Sequence, residues 1–183
     1  MLTLYIILGI IAAVVLWLIL AYNGLVRLRQ QAKEAESDID VQLKRRFDLV
    51  PNLVEIVKGY AAHERQTLES VTEARTRFMS AKNTKEQIAA NDMLSNTLKT
   101  LFAVSESYPD LKANANFLDL QRELADTENK IQAARRFYNA NVRDLNIAIE
   151  QFPTSLIAGA FRFERMTFFE AEEQESRPVA VKF

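Results

Sequence analysis

The chain has 183 residues, a formal net charge of −1, four Gly, four Pro, one His and no Cys. The length suits one domain with an appendage, and a charge near zero argues against nucleic acid as the partner. The missing Cys excludes disulfides, thiolate nucleophiles and sulfur-bound metal centres; the lone His63 excludes a His–His metal pair; and neither G-x-G-x-x-G nor G-x-x-x-x-G-K-[ST] occurs. Composition therefore points away from an enzyme, and no cofactor, metal or catalytic residue is expected.

Charge is placed unevenly: all 47 charged residues lie at or after Arg27. The preceding run, Leu2 to Tyr22, is LTLYIILGIIAAVVLWLILAY, with thirteen Leu, Ile or Val between Leu2 and Leu20. It has the ~20 residues needed to cross a ~30 Å hydrocarbon core as a helix, and its aliphatic side chains favour insertion by about 4–8 kcal/mol. Only a helix satisfies its own backbone in lipid. Leu2 marks the start of this span, and Trp17 and Tyr22 stand where amphipathic rings settle at an interface. A cleaved leader would need a basic n-region and a small-residue cut site; the chain shows neither pattern here, so an uncleaved anchor is expected. Arg27, Arg29 and Lys33 follow the span and no Lys or Arg precedes it, which predicts a single pass through the inner (cytoplasmic) membrane, N-terminus outside and the remainder cytoplasmic.

Gly24 is read as lying inside a continuing helix, because helix formers follow at once. Leu25, Leu28, Ala32, Ala35, Ile39, Leu43, Phe47 and Val50 recur at steps of three and four, an amphipathic helical stripe. Pro51 disfavours the α region at Val50, so a break or kink is expected there, with a second helix starting at Pro51 and running to about Lys82. Its stripe is Leu53, Val54, Val57, Ala61, Leu68, Val71, Ala74 and Phe78. Thr84-x-x-Gln87 is a capping-box pattern opening a third helix to about Ser107. Tyr108-Pro109-Asp110 reads as a loop. A fourth helix carries Phe117, Leu120, Leu124, Thr127, Ile131, Ala134, Tyr138, Val142, Leu145 and Ile149, capped by Asn114 or Asn116 and ended by Pro153. A short apolar helix, Thr154 to Phe163, follows. Glu170 to Phe183 reads as an extended tail, whose last six residues, from Pro178 to Phe183, pack on the bundle, stay loose or add as a strand to a partner's sheet edge.

The expected fold is thus all-α: an N-terminal transmembrane helix, then an antiparallel bundle of about four long helices with coiled-coil-like seams, a short C-terminal helix and an extended tail. In domain terms these are residues 1–23, 24–165 and 166–183.

The densest polar stretch holds Asp38, Asp40, Lys44, Arg45, Arg46 and Asp48. Asp40 and Lys44 have the favourable i, i+4 order of a helix pair. The stretch is either a solvated face or an electrostatic docking patch for a partner, the interspersed acids arguing against a phosphate site. Arg135 and Arg136, on the fourth helix, suit ion pairs with acids of a neighbouring helix, or else a partner. Tyr138 beside them is a core candidate whose hydroxyl needs an acceptor. His63-Glu64 lacks the second His of a zinc peptidase, since Thr67 stands there. Asp38, Asp40 and Glu64 would need Glu-x-x-His pairs to build a di-iron site, and Tyr60 precedes His63 instead. Phe161, Phe163, Phe168 and Phe169 either cap the bundle end or make a second membrane contact.

Several runs carry a family resemblance: YNGLV from Tyr22, SDIDVQLKRRFDLVPNLVEIVKGYA from Ser37, LQREL from Leu120, TENKI from Thr127, ARRFYN from Ala134, Phe152-Pro153 and FFEAEE from Phe168. Together they resemble the LemA family over nearly the whole chain. The resemblance implies a bacterial protein with one N-terminal span and a cytoplasmic helical bundle, of a family with no established enzyme activity. It also implies an association with membrane metallopeptidases and TPM-domain proteins, and, in one branch, with building magnetosome membranes. The functional expectation is a membrane-anchored scaffold or adaptor that self-associates as a homo-oligomer, with the lipid bilayer as first partner. The alternatives are a regulatory partner of a membrane protease or other membrane protein and, from a different class, a carboxylate-based enzyme.

Overall fold

A computed structural model describes residues 1–81 and 84–169, and for Thr84, Lys85 and Ile88 the backbone alone. The described residues hold six helices and no strand: α1 (Leu2–Tyr60), α2 (Arg65–Ser80), α3 (Thr84–Ser105), α4 (Pro109–Lys112), α5 (Ala115–Glu150) and α6 (Thr154–Ala160). The all-α expectation holds, and Gly24 lies within uninterrupted helix. The expected tail from Glu170 onward, and the side chain of the Thr84 capping box, lie outside the described residues.

The expected break at Pro51 is not there. Pro51 is interior to α1, which runs on to Tyr60 and gives way to a turn before Arg65. Proline removes the N–H that would bond the carbonyl four residues earlier, here that of Phe47. Nε of Arg75, on α2, donates to that carbonyl at 3.3 Å. The apolar stripe also crosses the proline without interruption, with Phe47, Val50, Leu53 and Val57 all buried. Burial on both sides of Pro51 and a substitute donor outweigh the local preference against helix.

The described residues divide into two compact units, residues 1–39 with 133–169 and residues 40–132. In the second, the last part of α1 runs antiparallel to the first part of α5. Tyr60 Oη accepts from Nδ2 of Asn114 at 3.0 Å, and fourteen residues inward Arg46 meets Glu128 at 2.8 Å. Asn114 Oδ1 accepts the backbone N–H of Phe117 at 3.0 Å, the N-cap bond expected at the head of this helix. Leu68, Val71 and Ala74 of α2, Leu94, Leu98 and Leu101 of α3, and Phe117, Leu124 and Ile131 of α5 fill the core. Phe47 and Phe78 stack with ring centroids 3.7 Å apart.

In the first unit, α6 lays Ile157 and Ala158 on Leu25, with Phe163 closing the cluster and Ala21, Val26, Ala148 and Ile149 around it. Two hydrogen bonds end α6: Phe163 N–H to Ala158 O at 2.9 Å and Arg162 N–H to Gly159 O at 3.3 Å. This is a Schellman turn, and its left-handed position, usually glycine, is Arg162 with φ 54°.

Candidate interaction surfaces

Leu2, Trp17 and Tyr22 belong to an apolar stretch of α1 that is long and uncharged enough to cross a membrane, and its most apolar eighteen residues are not buried by the rest of the protein. Tyr22 rests on Phe161 and Phe163, with ring centroids 4.8 and 5.9 Å away.

The polar stretch of α1 divides by helix face. Asp38, Asp40, Lys44, Arg45 and Asp48 are exposed, with Asp40, Lys44 and Asp48 one turn apart along a single row. Partial burial holds Asp40 above the usual carboxylate range. Arg45 acts on α5 through space. Asp126 is held below the usual range by its hydrogen bond from Lys130, 2.8 Å away, and by the charges of Lys130 and Arg45.

Arg46 is not on this surface. It follows the inward positions Leu43 and Phe47 and is only 4% exposed. Its guanidinium donates to Asn91 Oδ1 at 2.9 Å and Ser95 Oγ at 3.0 Å, and one of its nitrogens stands 2.8 Å from Glu128 Oε2. An arginine suits this place because its planar fork addresses several acceptors at once, so α1, α3 and α5 meet at one buried cation. A groove of about 420 Å³ opens beside it, lined by Ser95, Leu98, Phe102, Leu124 and Glu128.

Arg135 is also withdrawn from solvent, at 7% exposed, while Arg136 is exposed. The Arg135 guanidinium lies 4.7 Å from the centre of the Phe169 ring, a cation–π contact. It belongs to a clasp that fixes residues 166–169 along α5. Asn139 donates from Nδ2 to Phe169 O at 2.9 Å and accepts Phe169 N–H at 2.8 Å. Asn146, seven residues on, does the same with Met166, at 2.9 and 3.0 Å. Between them the Tyr138 hydroxyl donates to Thr167 O at 2.9 Å, supplying the acceptor that this buried phenol needs. Burial, and then the charge of Glu36, push Tyr138 above the ordinary phenol value. Each Asn thus pairs with main chain as a strand residue does, which lets a segment outside any helix or strand lie on α5 with its backbone groups satisfied.

Sequence reasoning missed this pairing. Its one signal was Asn139 and Asn146 in the interior of a long helix, where Asn is a poor helix former. It also missed Asn91, Ser95 and Glu128 around Arg46, and Tyr108, whose hydroxyl donates to Glu64 at 3.0 Å. The hydrogen bond to Glu64, then burial and the charge of Glu64, raise Tyr108 above its ordinary value.

These features define a class: an all-α protein headed by a helix long and apolar enough to span a bilayer. The family model of the LemA family matches residues 35–183, and the chain belongs to the LemA family. Among its relatives, the magnetosome protein MamQ of Magnetospirillum gryphiswaldense is 23% identical over 195 residues, covering 92% of this chain and 72% of the relative. Protein LemA of Metamycoplasma hominis is 27% identical over 154 residues, covering 84% of this chain and 70% of the relative.

Proposed function

We propose that the chain is a single-span, membrane-anchored scaffold or adaptor without catalytic activity of its own, held by Leu2–Tyr22 with its body on the cytoplasmic side. The observation that carries this reading is the apolar head of α1, whose side chains are uncharged and mostly exposed and which passes without a break into the rest of that helix. Arg27, Arg29 and Lys33 just beyond it support the cytoplasmic side. The mixed-charge row Asp40, Lys44 and Asp48 suits contact with a second copy or a partner helix, because acid and base alternate along one exposed face. Likeness to magnetosome proteins agrees with work at a membrane.

Two measurements test this. Membranes from cells producing the full chain are washed with alkaline carbonate, and the protein stays in the pellet; release into the wash overturns the anchor. Mass photometry of the detergent-extracted protein shows multimers that the charge-reversed variant Lys44→Glu weakens. A strict monomer at micromolar concentration overturns self-association. A monomer that co-purifies with a membrane metallopeptidase replaces it with the adaptor form.

A further inference from the structure

We propose that α6 and its flanks form a foot that lies in the headgroup layer of the bilayer, beside the point where α1 leaves it. The inference rests on reading Leu2–Tyr22 as a membrane span. A short helix on a protein surface normally shows polar residues to water. Residues 152–161 carry no charge, and α6 is apolar on both faces. One face, Ile157 and Ala158, is buried against Leu25. The other presents Phe152 at 77% exposed and Leu156 at 65%, with Phe161 beyond it at 62%.

Position decides what covers that second face. α6 packs on Ala21, Leu25 and Val26, and Phe161 lies against Tyr22. At 1.5 Å per residue, Leu25 is only about 8 Å beyond Leu20, the last aliphatic residue of the span. The polar layer on each side of the hydrocarbon is roughly 5–7 Å deep. The exposed face of α6 therefore continues the uncovered apolar surface of α1 into the zone where aromatic and aliphatic side chains meet lipid headgroups. Arg162 fits the same setting. It occupies a left-handed position where glycine is the common choice, and it places an exposed cation next to Phe161, suited to a lipid phosphate.

The chain has no Cys, so a single introduced thiol reports one site. Full-length Leu156→Cys, Phe161→Cys, Leu16→Cys and Glu34→Cys variants are labelled with a small fluorophore and reconstituted in phosphatidylcholine–phosphatidylglycerol vesicles. Quenching is read with lipids brominated near the glycerol end or the methyl end of the acyl chain, and with aqueous iodide. Labels at 156 and 161 are expected to lose more fluorescence to the shallow bromine than to the deep one, and less to iodide than the label at 34. The label at 16 responds to the deep bromine. Iodide access at 156 and 161 equal to that at 34, without lipid quenching, overturns the foot while leaving the span intact. Silence to all quenchers at both positions also overturns it, since protein such as a second copy then covers the face. Absence of lipid quenching at 16 removes the span and the foot together.

Discussion

The side chain of Arg75 donates at 3.3 Å to the carbonyl of Phe47, the acceptor that Pro51 leaves without its helical partner. This long-range bond compensates for a local defect, and it predicts coupling. Arg75→Ala leaves a carbonyl unpaired and costs about 1–2 kcal/mol. Pro51→Ala restores the helical N–H, and in that background Arg75→Ala costs clearly less. Thermal melting of the four proteins checks this, with each kcal/mol worth roughly 2–4 °C at this size. Equal losses in both backgrounds contradict the compensating role.

Arg46 predicts a second, larger loss. Removing one member of a buried charged pair typically costs 3–5 kcal/mol. Glu128 is 35% exposed, so Arg46→Ala belongs at the lower end, about 3 kcal/mol. Arg46→Lys retains the charge but recovers only part of that, since one ammonium cannot reproduce a planar fork. Denaturant melts of the three proteins measure both values, and full recovery by Lys speaks against a role for guanidinium geometry.

The clasp predicts a local effect. Asn139→Ala and Asn146→Ala each delete two hydrogen bonds to the main chain of residues 166–169, worth about 1 kcal/mol apiece. Trypsin cleavage after Arg165 then accelerates by roughly 30-fold where local opening limits the reaction. The melting temperature moves less than for Arg46→Ala. Unchanged cleavage in both variants removes the clasp as the restraint on this segment.

Alkali acts on the same place. The folded-state pKa of Tyr138 lies above the unfolded value, so its contribution is fully present below about pH 10 and is lost as pH rises through the folded pKa. Ionisation also removes the proton donated to Thr167 O. Wild-type stability therefore falls more steeply above pH 10 than that of Tyr138→Phe, which is less stable by about 1 kcal/mol at neutral pH. Tyr108 titrates in both proteins and cancels in the difference. Parallel alkaline limbs in the two stability profiles contradict this assignment.

The helical fold was legible because burial imposes a period. Leu25, Ala32, Ala35, Ile39, Leu43, Phe47 and Val50 keep steps of three, four or seven, and all are buried. Pro51 misled because its steric rule acts on the preceding residue alone, whereas the donor that offsets it lies on α2. The inward turn of Arg46 and Arg135 was hidden for a related reason. Arginine reads as surface until its acceptors and ring partner are known, and Asn91, Ser95, Glu128 and Phe169 lie more than thirty residues away in sequence. The setting of Phe161 was half visible. The sequence left Phe161 between a bundle end cap and a membrane contact, and only the packing of Ile157 on Leu25 set its distance from the apolar head of α1.

The unbroken course of α1 through Gly24 has a mechanical consequence. A helix without a swivel transmits torsion, so the azimuth at which Leu16 or Ile19 meets its surroundings is locked to the azimuth of Leu25, Ala32 and Ile39. Neighbours chosen by the apolar head of α1 and neighbours chosen by the helix beyond Gly24 cannot then be selected independently, because turning one set of faces by a given angle turns the other by the same angle.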